Sequence, residues 1–207
     1  MNESLVFKML FLVLFILVLA IRVVFSIKQR RTGQSSWSVS EEAVAREGRW
    51  SLLLRPTAFL LMLGLIALYF VEPSGSDRLS LPLPSLFRFG GVLLGSAGIL
   101  LLVWVHRTLG LQWSRTLQLK EGHALITSGP YEFIRHPMYT ALTFLFVGLS
   151  MASSFWPLVV LLLIMILFFF RVVGREEAMM IERFGEKYRT YMKRTGRFLP
   201  RLRRIPG

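Results

Sequence analysis

Five apolar runs, each close to the length of a bilayer crossing, constrain this chain more than any other feature. A helix needs about 20 mostly apolar residues to cross roughly 30 Å of hydrocarbon. Hydropathy places such runs at about 5–27, 51–71, 88–106, 138–152 and 155–173. The first is unbroken from Met9 to Ile21, with Lys8 and Arg22 placed to snorkel outward. No small-residue cleavage site follows it, so it reads as a retained span rather than a signal peptide. Pro56 stands at the entry of the second run, where a first helical turn tolerates it. The third carries Gly90, Gly91, Gly95, Ser96 and Gly98, small residues that let neighbouring helices approach closely. Only Ser153-Ser154-Phe155-Trp156-Pro157 divides the last two, which predicts a tight turn between paired helices. The expected fold is an all-α integral membrane protein with five transmembrane helices.

Charge supplies the orientation. Among 207 residues, 54% are hydrophobic, and 25 Lys and Arg face 12 Asp and Glu for a net charge of +13. That much apolar surface excludes a disordered chain. Positive residues collect on alternate sides of the expected spans: five between the first two, four from Arg107 to Arg135, and eleven from Arg171 onward. The segment between the second and third spans holds only Arg78 and Arg88. Basic segments mark the cytoplasmic side, so the N-terminus is expected outside and the C-terminus inside. The charge then serves topology and attraction to anionic lipid head groups, and no nucleic-acid recognition module accompanies it. The chain has no cysteine, so disulfides, thiolate metal sites and a cysteine nucleophile are ruled out. No metal partner is expected.

Two segments on the basic side are too particular to be connectors. Residues 1–107 read as three helices, and 108–207 as a functional region: a loop at 109–137, the helical hairpin and an amphipathic tail at 174–207. In the loop, Gly122, Gly129 and Pro130 mark turns around the short apolar insert Ala124-Leu125-Ile126. His123, Tyr131, His136 and Tyr139 are its chemically capable residues, and Pro137 fixes the backbone where the fourth span begins. Glu176-Glu177 follows the fifth span, where paired carboxylates are costly unless something positive meets them. Ile181, Phe184, Tyr188 and Tyr191 then recur at helical spacing.

Interfacial His, Tyr and Trp are more often anchors than reagents, and His106, Trp104, Trp113 and Trp156 read that way. Arg175 with the two glutamates fits a surface ion cluster of little energetic weight. Convergence favours a site instead. The last two spans form a hairpin, so its two inner ends, His136-Tyr139 and Arg171-Glu176-Glu177, must be neighbours.

GPYEFIRHPMY (129–139), a two-helix hairpin, Glu176-Glu177 and FGEKYRTYMKRTGRFLP (184–200) together resemble the isoprenylcysteine carboxyl methyltransferase family and its prokaryotic relatives. The likeness runs in order over 109–200, including the lead-ins LGLQWS and EGHALITSG. Phospholipid N-methyltransferases and membrane reductases share parts of the pattern. The resemblance implies an integral-membrane enzyme that uses S-adenosylmethionine. By position it implies cofactor contacts from Gln118, His123, Ala124, Leu125, Ile126, Tyr131, His136, Pro137, Tyr139 and Glu176. It gives Arg171 to a substrate carboxylate and makes Glu177, beside Glu176, a second catalytic residue.

These residue types suit that chemistry. A Glu binds an ammonium by a charge-assisted hydrogen bond, and Tyr faces attract a sulfonium by about 0.5–2 kcal/mol. A carboxylate acceptor is already ionised at neutral pH and needs no general base, only alignment and exclusion of water. An amine acceptor would need His136, Glu176 or Glu177 as base. Arg171 tips the balance towards carboxyl O-methylation of a lipophilic, prenylcysteine-like substrate. The alternatives are a phospholipid head-group N-methyltransferase, a membrane reductase using NADPH, and a lipid-binding protein without chemistry.

Overall fold

A computed structural model describes residues 2–30, 49–71, 78–110 and 125–201. Among them are six α-helices and no multi-residue strand: α1 (Glu3–Arg30), α2 (Arg49–Val71), α3 (Ser85–Leu109), α4 (Pro137–Ser153), α5 (Trp156–Phe184) and α6 (Glu186–Arg194). A single 3₁₀ turn, Gly129–Glu132, precedes α4. Gln118, His123 and Ala124 lie outside the described residues.

Three helices, α1, α3 and α5, are long and apolar enough to cross a membrane. The apolar parts of α2 and α4 are shorter, at Pro56–Val71 and Pro137–Ser153. One stripe of α1 packs inward through Phe11, Leu14, Phe15 and Val18, against Ile66 and Tyr69 of α2, Ile99 and Leu102 of α3 and Leu145 and Leu149 of α4. The opposite stripe is equally apolar and exposed: Leu12, Val13, Ile16 and Leu17 are each more than 40% accessible. Helices apolar all round and bare on one side belong in hydrocarbon. The chain is an integral membrane protein.

Small residues set the tightest contact. Gly148 of α4 lies on the backbone of α3, where an added Cβ would come 2.5 Å from the Gly95 nitrogen and 2.7 Å from its Cα. Gly91 and Gly98 answer from α3, each within 2.7 Å of α4 backbone by the same measure. Such close backbones maximise dispersion contacts, which drive helix association where lipid offers no hydrophobic difference.

The bundle has two distinct ends. At one, Ser85 of α3 hydrogen-bonds Glu3 of α1, Lys8 donates to the Phe70 carbonyl, and Arg88 Nε donates to the Ala152 carbonyl. The α4–α5 turn is pinned there by Leu81 N–H to the Ser154 carbonyl and by Trp156 N–H to the Leu79 carbonyl. At the other end, Phe25 stacks on His106, and the 3₁₀ turn, α6 and residues 195–201 gather. α5 is 29 residues, roughly 43 Å at 1.5 Å per residue. That exceeds the hydrocarbon thickness, so its last turns, with Glu176 and Glu177, stand clear of the bilayer core.

Candidate active site

The site is built where α4 begins. Gly129, with φ +60°, turns the chain at a point where a side chain would strike Thr108 of α3. Pro130 then starts the 3₁₀ turn and Pro137 occupies the first turn of α4, leaving His136 at its N-cap. Residues 195–198 run alongside as a strap. Arg135 N–H donates to the Gly196 carbonyl (2.8 Å), His136 N–H to the Arg197 carbonyl (3.1 Å) and Gly196 N–H to the Phe133 carbonyl (3.2 Å). Thr140 Oγ1 donates to the Phe198 carbonyl at 2.7 Å. The Tyr191 hydroxyl donates to the Tyr131 carbonyl at 2.7 Å, joining α6 to the 3₁₀ turn.

This backbone frame aims His136 at the paired glutamates of α5. Its Nε2 lies 3.3 Å from Glu177 Oε1, and its Nδ1 lies 3.6 Å from Glu176 Oε2. Glu177 is buried and fully engaged. Oε1 accepts from Arg135 Nε at 2.9 Å, and Oε2 accepts from Arg197 Nε at 3.0 Å and from its Nη2. Burial alone would raise the Glu177 carboxyl. Hydrogen bonds from His136, Arg197 and Arg135 outweigh it and hold that carboxyl well below the usual range. For His136, burial pulls down, but the two neighbouring glutamates pull harder, so the imidazole sits above its ordinary value. Its neighbourhood thus favours the imidazolium form.

Glu176 differs from its neighbour. Its Oε2 is buried yet has no hydrogen-bond partner among the described residues, since 3.6 Å to His136 is too long for one. Tyr131, half-buried on the 3₁₀ turn, feels the same carboxylate: burial first, then Glu176 and Tyr191, push its hydroxyl well up. The Tyr139 ring lies 6.0 Å from His136 and meets Phe169 edge-on at 4.9 Å. Phe198 of the strap lies 6.2 Å from His136 and 5.0 Å from Phe170. A carboxylate oxygen without a hydrogen bond is able to accept one from a cation.

Of the residues expected from sequence, the structure gathers Tyr131, His136, Pro137, Tyr139, Glu176 and Glu177. Leu125 and Ile126 are half-buried on the approach to the turn. Arg171 stands apart: it is exposed on α5, five residues before Glu176 and so about 140° round the helix from it. Arg135 and Arg197 were not expected, although both hold Glu177. The cost of an unpaired Glu177 near hydrocarbon was the available signal, because it demands nearby cations and the loop and tail supply them.

Residues 86–187, from the start of α3 into α6, match the phospholipid methyltransferase family. A methanethiol S-methyltransferase of Pseudomonas deceptionensis is 38% identical over 82 residues, 37% of this chain and 29% of that protein. The family match thus covers just under half of the chain, from α3 through the hairpin and the paired glutamates. A solved structure of the eukaryotic intramembrane Ras methyltransferase ICMT (isoprenylcysteine carboxyl methyltransferase) matches this chain with a TM-score of 0.52. The match covers 56% of this chain and 42% of that one, and at 24% identity the likeness is one of fold. The nickel-cobalt-cadmium resistance protein NccN of Alcaligenes xylosoxydans xylosoxydans is 29% identical over 96 residues, 46% of this chain and 45% of that protein. The chain thus spans less than half the length of these curated relatives.

Proposed function

We propose that this protein is an S-adenosylmethionine-dependent methyltransferase that acts on a lipophilic acceptor, with carboxyl O-methylation as the preferred reaction. The carrying observation is the buried Glu176 Oε2 without a hydrogen bond. It fits the donor's ammonium, and the rings of Tyr131 and Tyr139 suit the sulfonium. Bound there, S-adenosylmethionine supplies an electrophilic methyl group. Gln118, His123 and the 124–126 backbone complete the proposed donor contacts. The five-crossing topology, with the site at the cytoplasmic end, belongs to the same reading.

The cluster's protonation state bears on the acceptor. Glu177 is held anionic by three cationic partners, and a carboxylate that stable is a poor proton acceptor. The paired glutamates favour the imidazolium form of His136, which has no lone pair to offer. Glu176 is reserved for the donor's cation. The site therefore suits an acceptor that arrives already ionised, a carboxylate before an amine. Glu177 then works as a positioning residue that fixes His136 and the strap. Phe169, Phe170 and Phe198 exclude water, and Arg171, on the outer face of α5, meets a carboxylate arriving through the lipid. The named activity of the Pseudomonas relative makes a thiol the second acceptor to test, while the matched phospholipid methyltransferase family keeps an amine acceptor under test as well.

Calorimetry on the detergent-purified protein tests the donor. Glu176→Gln should weaken S-adenosylmethionine binding about tenfold to a hundredfold, as one charged hydrogen bond of about 1.5–3 kcal/mol is lost. The melting temperature should stay at the wild-type value. Unchanged affinity, or wild-type binding of NADPH in place of S-adenosylmethionine, overturns the assignment. Product lability separates acceptors: a methyl ester is lost in mild base, whereas N-methyl and S-methyl groups survive.

A further inference from the structure

Beyond the donor cluster, a second feature at the same end of the bundle is unexplained. An open cavity of about 350 Å³ lies between α6 and the strap, lined by Arg135, Met192, Thr195, Gly196, Arg197 and Arg201. Arg135 separates it from the donor cluster and is built in, with its side chain only 10% accessible. Its Nε is spent on Glu177, and its Nη1 donates to the carbonyls of Met192 and Thr195. A guanidinium has five N–H donors, and no hydrogen bond among the described residues engages Arg135 Nη2. Arg197 spends Nε and Nη2 on Glu177, and Arg201 spends Nη1 on the Lys193 carbonyl. Both residues line the cavity and keep further N–H donors beyond these bonds.

The charges do not balance either. Three guanidinium groups line the cavity, and among the described residues Glu177, shared with His136, is the single carboxylate bonded to any of them. A planar, singly charged carboxylate would leave part of that excess unmet. A tetrahedral phosphate carries up to two charges and three or more acceptor oxygens, which several guanidinium forks can hold at once.

We propose that this cavity is a binding site for a phosphate group, separate from the methyl-donor seat. An occupant would brace Arg135 and Arg197 from the side opposite Glu177 and so tighten the strap that carries Phe198 and aligns His136. A phosphomonoester lipid head group and a free phosphate share this chemistry.

Thermal unfolding of the full chain in nanodiscs tests the site and its source. One arm uses phosphatidylcholine discs, with inorganic phosphate replacing chloride at constant ionic strength. The other replaces part of the phosphatidylcholine, whose phosphodiester carries one charge, with phosphatidic acid, a phosphomonoester. A saturable rise in melting temperature is expected in at least one arm: with inorganic phosphate it assigns a soluble anion, with phosphatidic acid alone a lipid head group. Arg201→Gln should weaken the apparent affinity about tenfold, because Arg201 makes no bond to the donor cluster. Arg189→Gln removes the same charge from α6 outside the cavity and should keep the wild-type rise. No saturable rise in either arm, or equal loss in both variants, overturns the proposal. Competition between phosphate and S-adenosylmethionine would also overturn it, by assigning the cavity to the donor's own carboxylate. The stability readout needs no methyl transfer, so it stands independently of the proposed activity.

Discussion

Glu177 concentrates the energetics of the site, and its partners are unequal. Arg135 is nearly buried with it, whereas the Arg197 side chain is 41% accessible. Arg135→Ala strips a buried carboxylate of its best-shielded cation and should cost about 3 kcal/mol. Arg197→Ala, with water able to replace the guanidinium, should cost about 1 kcal/mol or less. Equal losses in urea or thermal unfolding would contradict this ordering. The pH dependence follows from the same cluster. The raised His136 contributes stability that is complete below about pH 6.5 and is lost as pH climbs through its raised folded value. The lowered Glu177 contributes stability that is complete above about pH 4.5 and is lost as pH falls towards its depressed folded value. Melting temperature should therefore plateau between those limits and fall on both sides, and His136→Gln should flatten the alkaline limb. At this scale, sequence brought His136 and Glu176 to neighbouring helix ends because a hairpin leaves no choice. It could not find Arg197, twenty residues beyond Glu177, because that pairing depends on the turn at Gly185 and the path of the strap.

Helix packing makes a sharper test of the α3–α4 interface. Gly148→Ala places a methyl group against the Gly91 carbonyl and within 2.7 Å of Gly95 backbone, with no flexible side chain to yield. Overpacking of this kind should cost about 1–3 kcal/mol. Gly64→Ala in α2 meets nothing within 4 Å and should be neutral or gain up to about 1 kcal/mol from helix propensity. Comparing melting temperatures of the two variants in one detergent checks the pair, and similar losses would contradict the packing. The helices themselves were largely legible, since hydropathy marks where hydrocarbon begins and ends. It does not mark where helical hydrogen bonding stops. The fifth run was expected to end at 173, but α5 continues to Phe184. Its buried face, Val172, Val173, Glu177 and Met179, follows helical periodicity across the change from apolar to charged sequence. The helix stops at Gly185, whose φ of +52° bends the chain into α6. An alanine there would be strained whatever the space around it.

The arrangement of the whole bundle bears on how often the chain crosses the membrane. α1 and α3 both begin at the end marked by Glu3, Ser85 and the α4–α5 turn. Two successive long helices can run in parallel only if the chain returns between them, and α2 makes that return, with Phe70 back beside Lys8. α4 does the same between α3 and α5. It has 17 residues, about 25 Å of helix, and the Ser154 turn adds reach at one end. The proposed five crossings therefore rest on helix direction, since by length and composition only three helices reach a full span. The absence of cysteine makes the expectation easy to check with single cysteines and a membrane-impermeant maleimide. Asn2→Cys and Ser80→Cys, both at exposed positions at the first end, should label in intact cells. Glu186→Cys, 83% accessible at the other end, should label only after permeabilisation. Labelling of Asn2 and Ser80 from opposite sides would mean that α2 does not cross. The parallel pairing of α1 and α3, and with it the frame that holds α4 and His136 in register, would then be wrong.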